Sequence, residues 1–474
     1  MKNDNDNDND NETAWARLDA WVDDHFDEQV EFLQALVQLP TDTPPGNNAP
    51  HAQRTAELLK AVGFDAEQHP VPQAEVKACG LQSITNLIVR RRYGEGPVIA
   101  LNAHGDVVPP GEGWTHGPYS GTVEDGKLYG RAAVVSKCDF STYTFATRAL
   151  EALRDGGSRS QPLHEGESGG LPLHDGKSRR LPLHEGASGG LPLHEGASGA
   201  LPLHEGGSRS FPLHGGIELH FTYDEEFGGE LGPDWLIRHG LTKPDLLIAA
   251  GFSYQVVTAH NGCLQMEVTV HGRQAHAAIP DSGVDALQAA VKILQALYRQ
   301  NTLYRQVRSA VAGITHPYLN VGLIQGGTNT NVVPGKVVFK LDRRMIPEEN
   351  PTEVEALIRA VIAEAAASCA GVTVDVRRLL LARALQPLAG NQPLVQALQR
   401  HGEAVFGVPI PVSGSPLYTD VRLYCERGIP AVIYGAGPRT VLESNAKRAD
   451  EHVVLDDLRK ATKVVARTLY ELLG

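Results

Sequence analysis

A chain of 474 residues, 42% hydrophobic and 21% charged, is long enough for more than one core and ordinary in globular composition. Its net charge of −13 argues against nucleic acid and anionic membrane surfaces as partners, because both need a basic patch. No apolar run reaches the roughly 18–20 residues that span a bilayer. Cysteines at 79, 138, 263, 369 and 425 lack CxxC spacing, which argues against a disulfide framework or zinc ribbon and leads us to expect a reducing cytoplasm.

The opening MKNDNDNDNDNE, residues 1–12, has no basic start and no apolar stretch, so it reads as a disordered acidic tail rather than a signal peptide. Helical periodicity begins at 13 and runs to 38, with Trp15, Leu18, Val22, Phe26, Val30 and Leu33 at three- and four-residue steps. TPPGNNAP breaks it at 43–50, and a second helix follows near 51–62. Short apolar runs at 86–89, 97–103, 217–223, 245–250 and 430–435 have strand length, and helical stretches separate several of them. That alternation predicts an α/β fold with an open, mostly parallel sheet and helices on both faces.

From Gln161 the sequence repeats every ten residues (LPLHEGASGG and variants), bringing histidines into register at 164, 174, 184, 194, 204 and 214. Each unit carries Pro and Gly and is too short to stack, so 156–215 reads as a disordered insertion. A weak histidine-rich metal trap is the alternative. A different rhythm starts at 261: strands at 264–272, 318–327, 336–345 and 372–380 and helices at 284–300 and 351–368 give the order βαββαβ. This ferredoxin-like unit, 261–382, is inserted in a first domain made of 13–260 and 383–474.

In such a sheet the working loops follow the carboxyl ends of the strands. After 97–103 comes HGD, with His104 as a candidate metal ligand and Asp106 as the carboxylate that orients its ring. After 217–223 comes DEEFGG, where neighbouring carboxylates can divide metal binding and proton transfer.

The ordered set AHGDVVPPGEGW, LYGR, DEEFGG, GRQAHAAIPDSGVDA, GGTNTNVVPG, LDRRMIP and GIPAVIYGAG resembles the M20 metallopeptidase family of deacylases and carboxypeptidases. The resemblance implies a zinc-peptidase-like catalytic domain carrying an inserted lid that forms a homodimer. It also implies hydrolysis of the amide bond of a small N-acyl amino acid or peptide. Position by position, it makes His104 and Glu226 metal ligands, Asp106 the orienting acid, and Glu225 the general base. His276 would serve a neighbouring subunit's site, and Asn331 and Arg344 would hold the substrate. A capped turn for His276 and a surface ion pair for Arg344 remain open as plainer readings.

The pattern departs from the family at three ligand positions. The bridging Asp, four residues beyond the Arg of the GR motif, is Val135; the acid ending the 245–250 strand is Gly251; the last His is Lys447. Valine offers no donor, glycine no side chain, and an ammonium repels a cation. Asp139, about one helical turn past Val135, could complete a one-ion site with His104 and Glu226. Cys138 is either a thiolate ligand or an inert thiol. Lys447 could instead replace a metal as a compact charge against Glu226. The expectation is therefore a divalent ion, zinc, with one ion rather than two and no ion as the other outcome left open; the alternative function is a metal-free binder of a small carboxylated ligand.

Overall fold

The computed structural model describes residues 4–134, 136–156, 211–440 and 442–474. Val135 and most of the decapeptide insertion lie outside them.

Among the described residues the larger sheet has eight strands, in the order Ala66–Pro70, Thr85–Arg92, Gly216–Thr222, Val98–His104, Leu246–Ala249, Ala431–Ile433, Val256–His260 and Val412–Ser415. The five apolar runs of the sequence all belong to it. Its centre is parallel, because Val98–His104 pairs in parallel with both Gly216–Thr222 and Leu246–Ala249. Val98–His104 and Gly216–Thr222 are buried at every position, as expected for strands covered on both faces. The helices Lys137–Arg154 and Leu455–Leu473 pack against each other on one side, and Phe26–Val37 and Asp4–Asp24 add to them.

Two boundaries differ from the sequence reading. The stretch expected as a tail over 1–12 is helical from Asp4, within a helix that runs to Asp24. Ala14, Leu18 and Val22, at four-residue spacing, bury its inner face, and Asp19 and Asp23 pair with Arg467 and Lys463 of the last helix at 2.8 and 2.7 Å. The insertion expected over 156–215 rejoins the core before its end. Phe211 and Leu213 are buried, and the His214 N–H donates to the Leu473 carbonyl at 2.6 Å.

The second sheet runs Tyr318–Gly326, Lys336–Met345, Gly262–His271 and Thr373–Ala382, antiparallel throughout. Leu264, Met266, Val268 and Val270 alternate inward from its central strand into a core of their own. The helices Ala286–Tyr304 and Pro351–Ala367 cover that face, and each starts at a side-chain cap. Asp285 accepts from the Leu287 and Gln288 N–H groups, and Asn350 from Thr352. The mixed, centrally parallel sheet with a βαββαβ lid is thus the α/β fold read from the sequence.

Candidate active site

Strand pairing builds the site. His104 is the register partner of Thr222, so the HGD loop and the DEE turn emerge side by side from neighbouring parallel strands. Asp106, fully buried, ties them together. Its Oδ1 accepts the Glu225 N–H at 3.2 Å and its Oδ2 the Glu226 N–H at 3.0 Å. The His104 Nδ1 lies 3.1 Å from the Asp106 carbonyl and 3.4 Å from its Oδ1, which leaves Nε2 facing Glu225 Oε2 at 3.9 Å. Asp106 therefore orients both the imidazole and the acidic turn. Asp224 faces elsewhere, its Oδ2 accepting the Leu231 N–H at 2.5 Å.

The charges of these groups are interdependent. Burial pushes the Glu225 carboxyl up to about 7, with His104 and Lys447 pulling it down and Glu226 and Asp106 pushing it up. Burial works against a charged His104, but Glu225, Asp106 and Glu226 raise it to about 10. Burial also works against the Lys447 ammonium, and Glu226 and Glu225 hold it above the usual lysine range. The Lys447 Nζ sits 2.7 Å from Glu226 Oε2, although the lysine side chain stays 59% exposed.

His104, Glu225, Glu226 and Lys447 line a pocket of about 150 Å³ that also takes in Arg344 from the lid, Tyr418 and Asp420. The Arg344 guanidinium pairs with Asp342 at 2.7 Å and lies 5.5 Å from the Tyr418 ring, so the plain ion pair and the pocket position coexist. Sequence reading missed Tyr418 and Asp420. They come from the loop after Val412–Ser415, and SGSPLYTD carries no spacing that points to a site. Asp420 is 4% exposed, and neither carboxylate oxygen has a hydrogen-bond partner among the described residues. Burial, with Glu225 and Asp224 adding to it, pushes this carboxyl well above the usual carboxylate range. Gly229 of the DEEFGG turn makes room for it: φ is +76°, and a Cβ there would lie 2.2 Å from Asp420 Oδ1.

Three expected residues lie outside both this pocket and the Asp106 network. His276 is exposed, and its Nδ1 accepts the Ala278 N–H at 3.1 Å, the plain capped turn. Asn331 is its neighbour on the lid, where the Ala277 N–H donates to the Asn331 carbonyl at 3.0 Å. Asp139 does not join His104 and Glu226. It is buried on the Lys137–Arg154 helix, with Oδ1 accepting the Ala436 N–H at 2.6 Å, and burial pushes it up to about 8. The neighbouring Cys138 donates its S–H to the Val134 carbonyl, and burial pushes the thiol up, so it reads as inert.

A dinuclear centre does not fit these residues. Among the described residues no group of three or more His, Cys, Asp or Glu is placed to hold a metal ion. Gly251 offers no donor, and a Cβ there would meet Ile433 Cγ2 at 2.1 Å. Lys447 places an ammonium directly on Glu226. The one-ion site with Asp139 fails for the reason given above.

The model of the peptidase M20 dimerisation domain matches residues 258–368, and that of peptidase family M20/M25/M40 matches residues 100–160. An acetylornithine deacetylase of Myxococcus xanthus is 27% identical over 447 residues, covering 93% of this chain and 97% of that protein. A succinyl-diaminopimelate desuccinylase of Methylorubrum extorquens is 26% identical over 459 residues, covering 92% of this chain and 97% of its own. The crystal structure of the M20 family metallo-carboxypeptidase Sso-CP2 from Sulfolobus solfataricus shares the fold. Its TM-score is 0.67 at 18% identity, over 94% of this chain and 98% of that one. Two family models in the right order and relatives matched over nearly the whole chain support one assignment, the M20 peptidase family.

Proposed function

We propose that this protein hydrolyses the amide bond of a small N-acyl amino acid or peptide in the pocket between its two sheets. The observation that carries this reading is the placement of Glu225, a buried carboxylate 3.9 Å from His104 in a pocket that Arg344 enters from the lid. Glu225 would take a proton from water as the water oxygen bonds to the carbonyl carbon. As the C–N bond breaks, the same carboxyl would return the proton to the departing amine. Arg344 would pair with a substrate carboxylate, as its planar fork suits. The zinc expected from the family finds no assembled ligand set among the described residues, so no step here uses it.

A homodimer formed through the lid is part of the same proposal. The matched dimerisation domain carries exposed Leu323 and Ile324 on an edge strand and Leu287, Val291 and Tyr298 on a helix. His276 would then act on a neighbouring subunit's substrate. All five cysteines are free, which fits a cytoplasmic site of action. No described helix is long and apolar enough to cross a membrane. A panel of N-acyl amino acids and dipeptides offered to wild type and Glu225→Gln tests the reading: turnover lost in the variant supports it, and no turnover by either removes it.

The second reading, a non-hydrolytic binder of a small carboxylated ligand, draws on the closed Lys447–Glu226 pair. Stoichiometric binding of an N-acyl amino acid without turnover would select it.

A further inference from the structure

The cation in this pocket is part of the chain. Among the described residues the Lys447 Nζ makes one hydrogen bond, to Glu226 Oε2 at 2.7 Å. An ammonium has three N–H donors, so two remain for the pocket that Lys447 lines.

Both ends of the pair are built in. Lys447 has φ +61°, a left-handed conformation that side chains other than Gly rarely adopt. Its N–H donates to Glu451 Oε2 at 3.0 Å, and that carboxylate pairs with Arg131 at 2.5 Å with both side chains buried. Arg131 in turn donates to the Pro110 carbonyl at 2.7 Å. A backbone strained in this way persists only where its surroundings over-determine it. Opposite, the Glu226 amide is pinned to Asp106. The place of a departed ligand at Gly251 is closed by Ile433.

We propose that the Lys447 ammonium replaces the metal of the related metallo-enzymes. It neutralises Glu226 and donates its two remaining N–H groups to the substrate carbonyl oxygen. This deepens the hydrolytic reading above. When water attacks, the carbonyl π pair moves onto that oxygen, and the ammonium stabilises the oxyanion while keeping its own proton. Glu225 carries the proton from water to the amine, so the products are one carboxylic acid and one amine.

The test uses full-length wild type, His104→Ala and Lys447→Met, each incubated with zinc chloride, dialysed and analysed for metal. Zinc taken by the histidine repeats is common to all three and cancels. Wild type and His104→Ala are expected to retain equal zinc, and wild-type turnover to survive EDTA. Lys447→Met is expected to lose about 10²–10³ in kcat, as for removal of an oxyanion donor. Its unchanged melting temperature would show that the loss is not one of folding. A wild type holding one or more zinc equivalents beyond His104→Ala overturns the proposal, as does a Lys447→Met enzyme that turns over like wild type. If no amide is cleaved, the hydrolytic reading fails, while the zinc difference still decides the replacement of the metal.

Discussion

The Arg131–Glu451 pair holds up the Lys447 turn, and breaking it has a calculable cost. The side chains are 1% and 2% exposed, with Nη1 and Oε2 2.5 Å apart. With charge centres about 4 Å apart and an effective dielectric near 20, their attraction is about 4 kcal/mol. Arg131→Met removes that attraction and leaves Glu451 buried without a cation, a change that typically costs about 3–5 kcal/mol. The double variant Arg131→Met/Glu451→Leu also removes the stranded carboxylate, so most of the loss should return. Urea unfolding of wild type, both single variants and the double variant gives the coupling directly. Turnover should fall in the two variants that lack Glu451, because the Lys447 N–H loses its acceptor. If Arg131→Met is within about 1 kcal/mol of wild type, or the double variant equals the sum of the singles, the pair is not the anchor we infer.

Three further outcomes follow from the geometry. Glu225→Gln should lower turnover by about 10²–10⁴ with the far-UV circular dichroism unchanged, and retained turnover would remove Glu225 as the base. Gly251→Ala should cost about 1–3 kcal/mol by overpacking against Ile433, and Ile433→Ala in the same chain should relieve it; additive losses would argue against that contact. His260 is fully buried, with Nδ1 on the Asn261 carbonyl at 2.8 Å and Nε2 facing the Thr419 N–H at 3.3 Å. Burial lowers it to about 4, so it stays neutral in the fold while the unfolded chain takes up a proton. Stability is then present above about pH 6.5 and lost as the pH falls toward 4, by up to about 3 kcal/mol. Melting curves of wild type and His260→Asn across that range should converge at low pH, and parallel curves would contradict the assignment.

The sequence made the strands and the lid legible because both periods, two and 3.6, are written in side-chain polarity. His104 and the DEE turn were legible as well, since parallel strands bring their carboxyl ends to one edge whatever the loops do. Asp139 shows where spacing stops informing. One helical turn from Val135 is visible in the sequence, but the Ala436 amide that captures the carboxylate comes from a loop about three hundred residues away. Tyr418 and Asp420 were invisible for a related reason, since only tertiary folding brings their loop over Glu225. The polar amino-terminal stretch formed a helix because the apolar stripe beyond it had a partner in the last helix.

The most direct test of a pocket organised around Lys447 is anomalous diffraction at the zinc edge from crystals of the full chain grown with zinc. The expected map has no anomalous peak between His104 and Glu226, with the Lys447 amine resting on Glu226. One or two zinc peaks there, with Lys447 turned out to solvent, would contradict it.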